Sequence, residues 1–164
     1  MKHNKKTSAF SLIEVLIFVV VFSLFFITAA SIVTSTLRIT KENQNKIKAS
    51  HYVEELREWL RSEKETNWGG SIYVGSINSF TEQVSQSSPT TSFCFNSSPI
   101  ATWPASGTFN CEFTLDNQFR RIATFSATIV SGFVNQISAN ISTEWKDGEE
   151  IRSIPLQSVF SIWE

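Results

Sequence analysis

The sequence predicts an α+β fold, in which a long N-terminal helix packs on an antiparallel β-meander. Three features predict it: an apolar run near the N-terminus, an amphipathic continuation of that run without glycine or proline, and alternating apolar and polar residues between turn signals further on. These features divide the chain into a basic leader peptide over residues 1–9, an apolar, transmembrane helical half over 10–37, an amphipathic half over 38–66 and a β-sheet head domain over 67–164.

The apolar run follows a leader that holds three lysines and no acidic residue. From Phe10 to Val33 it covers about 24 residues, or about 36 Å as a helix, and a bilayer core is about 30 Å thick. A cleaved secretory signal ending near Ala30 is the alternative, but such signals hold only about 7 to 15 apolar residues. Because lysine and arginine flank both ends, charge counting leaves the orientation in the membrane open.

Glu14 is the only charged residue between Phe10 and Leu37. A carboxylate in hydrocarbon costs on the order of 2.5–3.5 kcal/mol, so such residues are usually paired or functional. Glu14 therefore either reaches the head groups at the membrane surface or has a partner.

The segment Ala9-Phe10-Ser11-Leu12-Ile13-Glu14-Val15-Leu16, between the lysine-bearing leader and the apolar run, resembles the signature of type IV prepilins and of type II secretion pseudopilins. The resemblance implies that a prepilin peptidase cleaves between Ala9 and Phe10 and methylates the new N-terminus, so that Phe10 becomes N-methylphenylalanine. Glu14 matches the glutamate through which subunits assemble. Most family members have glycine before the cut, but alanine is also small, and we expect cleavage.

The resemblance gives Glu14 a partner. Cleavage removes the lysines and exposes an amine at the membrane end of the helix, which can pair with Glu14 of a neighbouring subunit and fix the axial stagger. Removing one member of a buried pair costs about 3–5 kcal/mol. The implied partners are prepilin peptidase, other pilin subunits, the pilus assembly machinery and, before assembly, membrane lipid. The implied location is the inner membrane, with one span and the head domain outside the cytoplasm, followed by an extracellular pilus or periplasmic filament.

The amphipathic half is dense in charged and amide residues. Ala49, Val53, Leu56 and Leu60 recur at helical spacing and predict one apolar face, and Gly69-Gly70 predicts the end of the helix. Hydroxyl and β-branched residues are frequent over residues 28–40. They lower helix propensity and predict a bend or partial melting there in the filament.

The C-terminal half predicts about four strands with one buried face. Turns are expected at Asp116-Asn117, Ser131-Gly132 and Asp147-Gly148, and strands over residues 109–115, 119–129, 137–145 and 154–162. The expected inward residues are Phe119, Ala123, Phe125, Ala127, Ile129, Ile137, Ala139, Ile141, Trp145, Ile154, Leu156, Phe160 and Ile162.

Cys94 and Cys111 precede and follow a polar loop of about 17 residues. If the head domain is exported, they are expected to form a disulfide that contributes about 3 kcal/mol; in the cytosol they would stay thiols. One hypothesis is that Trp103, inside this loop, is exposed and contacts a partner.

Several function classes lack support in the sequence. A net charge of −1 does not favour nucleic-acid binding, and His51, the only histidine after cleavage, cannot make a zinc site with two bridged cysteines. No serine-hydrolase elbow or phosphate loop is present, so no enzyme activity, cofactor or metal is predicted. The expected function is a minor pilin-like structural subunit. A type II secretion pseudopilin and a single-span, membrane-anchored binding protein that does not polymerise are the alternatives.

Overall fold

The computed structural model describes residues 11–69, 79–85, 90–106, 111–161 and 163. The chain divides into two compact units, Met1–Asn43 and Gln44–Glu164. The described elements are α1 (Leu12–Asn67), α2 (Phe80–Val84), β1 (Thr91–Cys94), β2 (Phe119–Val130), β3 (Phe133–Asp147) and β4 (Glu150–Ser161).

In the first unit, the described residues form the apolar half of α1. The helix is unbroken over residues 28–40, and threonine hydroxyl groups there bond within the helix. The Oγ1 atoms of Thr28, Thr34 and Thr36 donate to carbonyl oxygens three or four residues earlier, at 2.8–3.2 Å. Each of these hydroxyl groups therefore has an acceptor, and the backbone hydrogen bonds of the helix are kept. The predicted bend concerns the assembled filament and stays a prediction.

In the second unit, four antiparallel strands lie in the order β1-β2-β3-β4, which confirms the meander. Strands β2 and β3 form a long hairpin, in which Ala123 pairs with Ile141. The turns fall where they were predicted. Ser131 and Gly132 have φ values of 52° and 82°, and Gly148 has 66°, a left-handed conformation that glycine adopts without strain.

The first strand differs from the prediction. Of residues 109–115, residues 109 and 110 lie outside the described part, and the rest contributes only an isolated bridge between Leu115 and Phe119. The first strand is instead β1, which pairs with β2 from Ile122 to Phe125. Residues 111–115 do not extend along β2, because the chain after β1 already occupies that edge: the amide of Phe95 donates to the carbonyl oxygen of Arg121 at 2.8 Å.

The core lies between the second half of α1 and one face of the sheet. As predicted, Ala49, Val53, Leu56 and Leu60 are at most 2% exposed. Val53, Leu56 and Leu60 belong to a cluster with inward side chains of β2 and β3, and Ala49 packs with Trp145 in a second cluster. Burying one such leucine is worth about 1.5–3 kcal/mol, so the amphipathic half of α1 is part of the head domain's core.

Among the predicted inward residues, Ile129 is 50% exposed, a correction to the expected face of β2. A register shift between Thr128 and Ile129 interrupts the alternation there, as a bulge does. Phe160 is buried, whereas Ile154 and Leu156 on β4 are half-buried. The side chain of Ile162 lies outside the described residues.

Candidate functional site

Glu14 lies in the first turn of α1, and its side chain is exposed. The helix begins as the amides of Glu14 and Val15 donate to the carbonyl oxygen of Ser11, at 3.0 and 3.3 Å. A carboxylate at this position interacts favourably with the helix dipole. Ala9 and Phe10, the predicted cleavage and methylation site, lie outside the described residues.

Most side chains that the apolar half of α1 exposes are apolar. Leu12 is 83% exposed, and Phe18, Ile27 and Ile32 are about two-thirds exposed. Soluble proteins rarely expose an apolar surface of this extent without a partner. By length and composition α1 can cross a membrane, which fits a membrane span or a signal anchor.

Aromatic rings form a short stack along this half of α1. The ring centroids of Phe18 and Phe22 lie 5.5 Å apart, and those of Phe22 and Phe26 lie 4.7 Å apart. These residues are four apart and therefore share a face of the helix. The first pair is stacked and the second meets edge to face, so one side of the helix has a continuous aromatic surface.

In the head domain, the structure contains the disulfide between Cys94 and Cys111, with a Cα–Cα distance of 5.5 Å. Hydrogen bonds of Asn96, close to the disulfide, join the same two segments of the chain. The Asn96 amide donates to the carbonyl oxygen of Glu112 and to Thr114 Oγ1, at 2.6 and 3.0 Å, and its Oδ1 accepts from the Arg121 amide. The segment after β1 is therefore fastened to residues 111–114 by covalent and polar contacts.

Arg121 is a central head-domain residue that the sequence interpretation missed. Its side chain is fully buried on the inward face of β2. The guanidinium donates to the Tyr52 carbonyl at 2.7 Å and to Glu55 Oε2 at 3.0 Å, both on α1. It also donates to the carbonyl oxygens of Phe95 and Ser97, at 2.9 and 2.7 Å.

This set of acceptors fits a guanidinium, whose donors form a fixed fork. Burial lowers the pKa of Arg121, and the hydrogen bond and charge of Glu55 oppose that shift. The signal was present in the sequence, because Arg121 occupies the inward position between Phe119 and Ala123. It was not recognised, since the alternation was read through apolar residues alone.

Trp103 is partly buried rather than exposed, and its contact with a partner stays a prediction. Its ring is partly buried against the main core cluster, with centroids 5.2 Å from Trp59 and 5.3 Å from Phe93. The indole Nε1 donates to Glu63 Oε2 at 3.2 Å. A tryptophan in a polar loop can close the end of a core in this way, because its ring is apolar and its N–H can reach a surface acceptor.

His51 is exposed on α1. Within the part of the chain that the structure describes, no three His, Cys, Asp or Glu side chains are grouped as metal ligands.

Comparison of the chain with protein-family models, with curated proteins and with solved structures gives no match. The resemblance to type IV prepilins therefore rests on the residues around Ala9–Phe10 and Glu14 and on the apolar helix that follows them.

Proposed function

We propose that this chain is a structural subunit of a type IV pilus or related filament, of the minor-pilin kind. A prepilin peptidase processes it between Ala9 and Phe10, and its N-terminal helix anchors it in the membrane and then joins the filament. The observation that carries the proposal is the exposed apolar half of α1 with a single acid, Glu14, in its first turn.

The continuity of α1 supports this role. One helix contributes an apolar surface over residues 12–37 and, further along, the core residues Val53, Leu56 and Leu60 of the head domain. A subunit whose anchor and core share a helix can be held in a polymer through its N-terminal half without a separate linker. The minor-subunit assignment rests on the family resemblance of a polar, bridge-bearing head domain.

The test is the mass of the mature protein. The full chain is expressed in cells with and without a prepilin peptidase and purified from membranes, and its N-terminus is measured by mass spectrometry. We expect peptidase to remove residues 1–9 and add one methyl group to Phe10. An Ala9→Gly variant serves as a positive control, because it restores the residue most common before the cut.

If the wild-type chain keeps its leader and the Ala9→Gly chain is fully processed, the failure of cleavage is due to Ala9 alone. An intact leader on both chains would contradict the proposal and favour a single-span anchored protein that does not polymerise. Recovery of the processed chain only in a periplasmic filament would favour the pseudopilin alternative.

A further inference from the structure

Two exposed cations, Arg38 and Lys41, directly follow the apolar half of α1. Within the described part of the chain, neither of them forms an ion pair with another side chain. Leu37 and Ile39, on either side of Arg38, are 65% and 58% exposed. The two cations therefore project from a stretch of helix that also presents apolar side chains.

This stretch of the helix has an excess of positive charge. Residues 38–48 hold four cations and one acid, Glu42. One of these cations, Lys48, is paired with Asp116 at 2.7 Å. When both carboxylates are counted against the four cations, two positive charges remain. The excess favours an anionic ligand at Arg38 and Lys41.

Arg38 and Lys41 can bind one anion together. Residues three apart share a flank of a helix, and the rise between these two is about 4.5 Å. A guanidinium matches the geometry of phosphate oxygens, and an ammonium binds them as a point charge. Two long side chains on one flank can therefore reach the same phosphate group.

The length of the apolar half places both cations at a bilayer surface. From Glu14 to Arg38 the helix rises about 36 Å, whereas the hydrocarbon core of a bilayer is about 30 Å thick and the head groups extend it to about 40–45 Å. When the apolar residues are centred in the core, Glu14 lies in one head-group layer and Arg38 in the other. Lipid phosphate is then the anion nearest to Arg38 and Lys41.

The direction of helical side chains favours the same contact. The Cα–Cβ bonds of a helix tilt toward its N-terminus, so the stems of Arg38 and Lys41 lean back toward the apolar half. Long cationic side chains near the end of a membrane helix keep their stems on apolar surface and their charges among the head groups. A soluble anion would meet the two charges alone, whereas a phospholipid also meets the adjoining apolar helix.

From these observations we propose that Arg38 and Lys41 form a binding site for the phosphate of an anionic phospholipid, in the leaflet at the C-terminal end of the span. The site sets the depth of the helix before assembly, and a subunit that leaves the membrane for a filament must give up this contact. The inference rests on the membrane anchoring in the proposed function, and it does not depend on cleavage or polymerisation.

The contact is tested by solid-state NMR on the full chain in phospholipid vesicles. The guanidinium carbon of every arginine is isotopically labelled, and the experiment measures its dipolar coupling to lipid phosphorus in a buffer without phosphate. We expect coupling for about one sixth of the arginine signal, because Arg38 is the one of six arginines that adjoins the apolar half.

Variants of the chain assign this signal. Arg38→Gln should abolish the coupling, and Lys41→Gln should weaken it, because the phosphate loses one of its two cations. Arg57→Gln, further along the same helix, is the matched control and should leave the coupling unchanged. Absence of coupling in the wild-type chain, or its persistence in Arg38→Gln, would overturn the site.

Selectivity for anionic lipid is measured by electron paramagnetic resonance, in phosphatidylcholine vesicles with a trace of spin-labelled phosphatidylglycerol or phosphatidylcholine. The leader lysines are replaced by glutamine in every chain, so that they do not contribute. Replacing Arg38 and Lys41 with glutamine should lower the preference for phosphatidylglycerol at least about fivefold, the effect of one cation near a charged surface. Arg38→Lys combined with Lys41→Arg should retain the preference. An undiminished preference in the glutamine variant would contradict selection of anionic lipid by this pair.

Failure of this inference and failure of the proposed function give different results. A wild-type chain that shows the phosphorus coupling but keeps its leader in the presence of peptidase would support the lipid site and contradict the filament subunit. A chain that is cleaved and enters filaments, yet shows no coupling while it is in the membrane, would overturn the lipid site alone.

Discussion

Arg121 occupies an inward position of β2 at which the neighbouring inward residues, Phe119 and Ala123, are apolar. Its guanidinium joins three parts of the head domain: α1 through Tyr52 and Glu55, the segment after β1, and β2 itself. A buried charge is tolerated only when it is paired and hydrogen-bonded. The contacts of Arg121 meet that condition.

Replacing Arg121 with methionine should lower the free energy of unfolding by about 3 kcal/mol, because the change removes the donor to the carbonyl oxygens of Phe95 and Ser97 and the cationic partner of Glu55. Chemical denaturation of the full chain in detergent measures it. Arg121→Lys should restore only part of the loss, since an ammonium cannot reach all four acceptors. The matched control, Arg61→Met on the exposed flank of α1, should change stability by less than about 1 kcal/mol. Equal effects at both positions would contradict a structural role for Arg121.

Trp103 packs against the main core cluster. Trp103→Ala should lower the free energy of unfolding by about 2 kcal/mol, below the usual cost of about 3–5 kcal/mol for a fully buried tryptophan, because the ring is only partly buried. Trp103→Phe keeps the ring contacts and should lose less. Thermal unfolding followed by tryptophan fluorescence and circular dichroism measures both variants. An unfolding transition unchanged in Trp103→Ala would contradict a packing role for this residue.

At the scale of the elements, the disulfide closes the loop that runs from β1 to the turn before β2. Replacing both Cys94 and Cys111 with alanine should lower the free energy of unfolding by about 3 kcal/mol, as expected for a loop of about 17 residues. Reduction of the wild-type chain should produce a similar loss, and the double variant should not respond to reductant. A wild-type chain whose stability is unaffected by complete reduction would contradict this contribution.

The elements with strong local signals could be predicted from the sequence. Helix α1 was expected because a long segment lacks glycine and proline, and the β2–β3 hairpin was expected because apolar alternation flanks Ser131-Gly132. Strand β1 was not expected. It has four residues, too few for its alternation to stand out, and its place in the sheet depends on β2, which lies far along the chain. Pairings of this kind are set by tertiary contacts rather than by local pattern.

At the scale of the whole molecule, the two units differ in how far their side chains are buried. Described side chains in residues 11–43 are mostly exposed and apolar, whereas residues 44–164 contain the described core. The two units also differ in how well the sequence alone predicts their important residues. Glu14 could be singled out from the sequence because one acid among apolar residues is a local signal. The contacts of Arg121 could not, because its acceptors come from α1 and the segment after β1.

The central claim is that Glu14 joins neighbouring subunits in a filament through the amine exposed by cleavage. It is tested most directly by the amount of Glu14→Val chain in filaments sheared from cells that carry the pilus assembly machinery. We expect at least a tenfold loss relative to wild type, corresponding to about 1.4 kcal/mol or more. Membrane content and N-terminal processing should be unchanged.

Thr28→Val is the matched control, because it also removes a polar group from the apolar half of α1 but leaves the charge in place. It should enter filaments at the wild-type level. If Glu14→Val enters filaments as well as Thr28→Val does, the pairing of Glu14 with a neighbouring amine is not what holds this chain in a polymer.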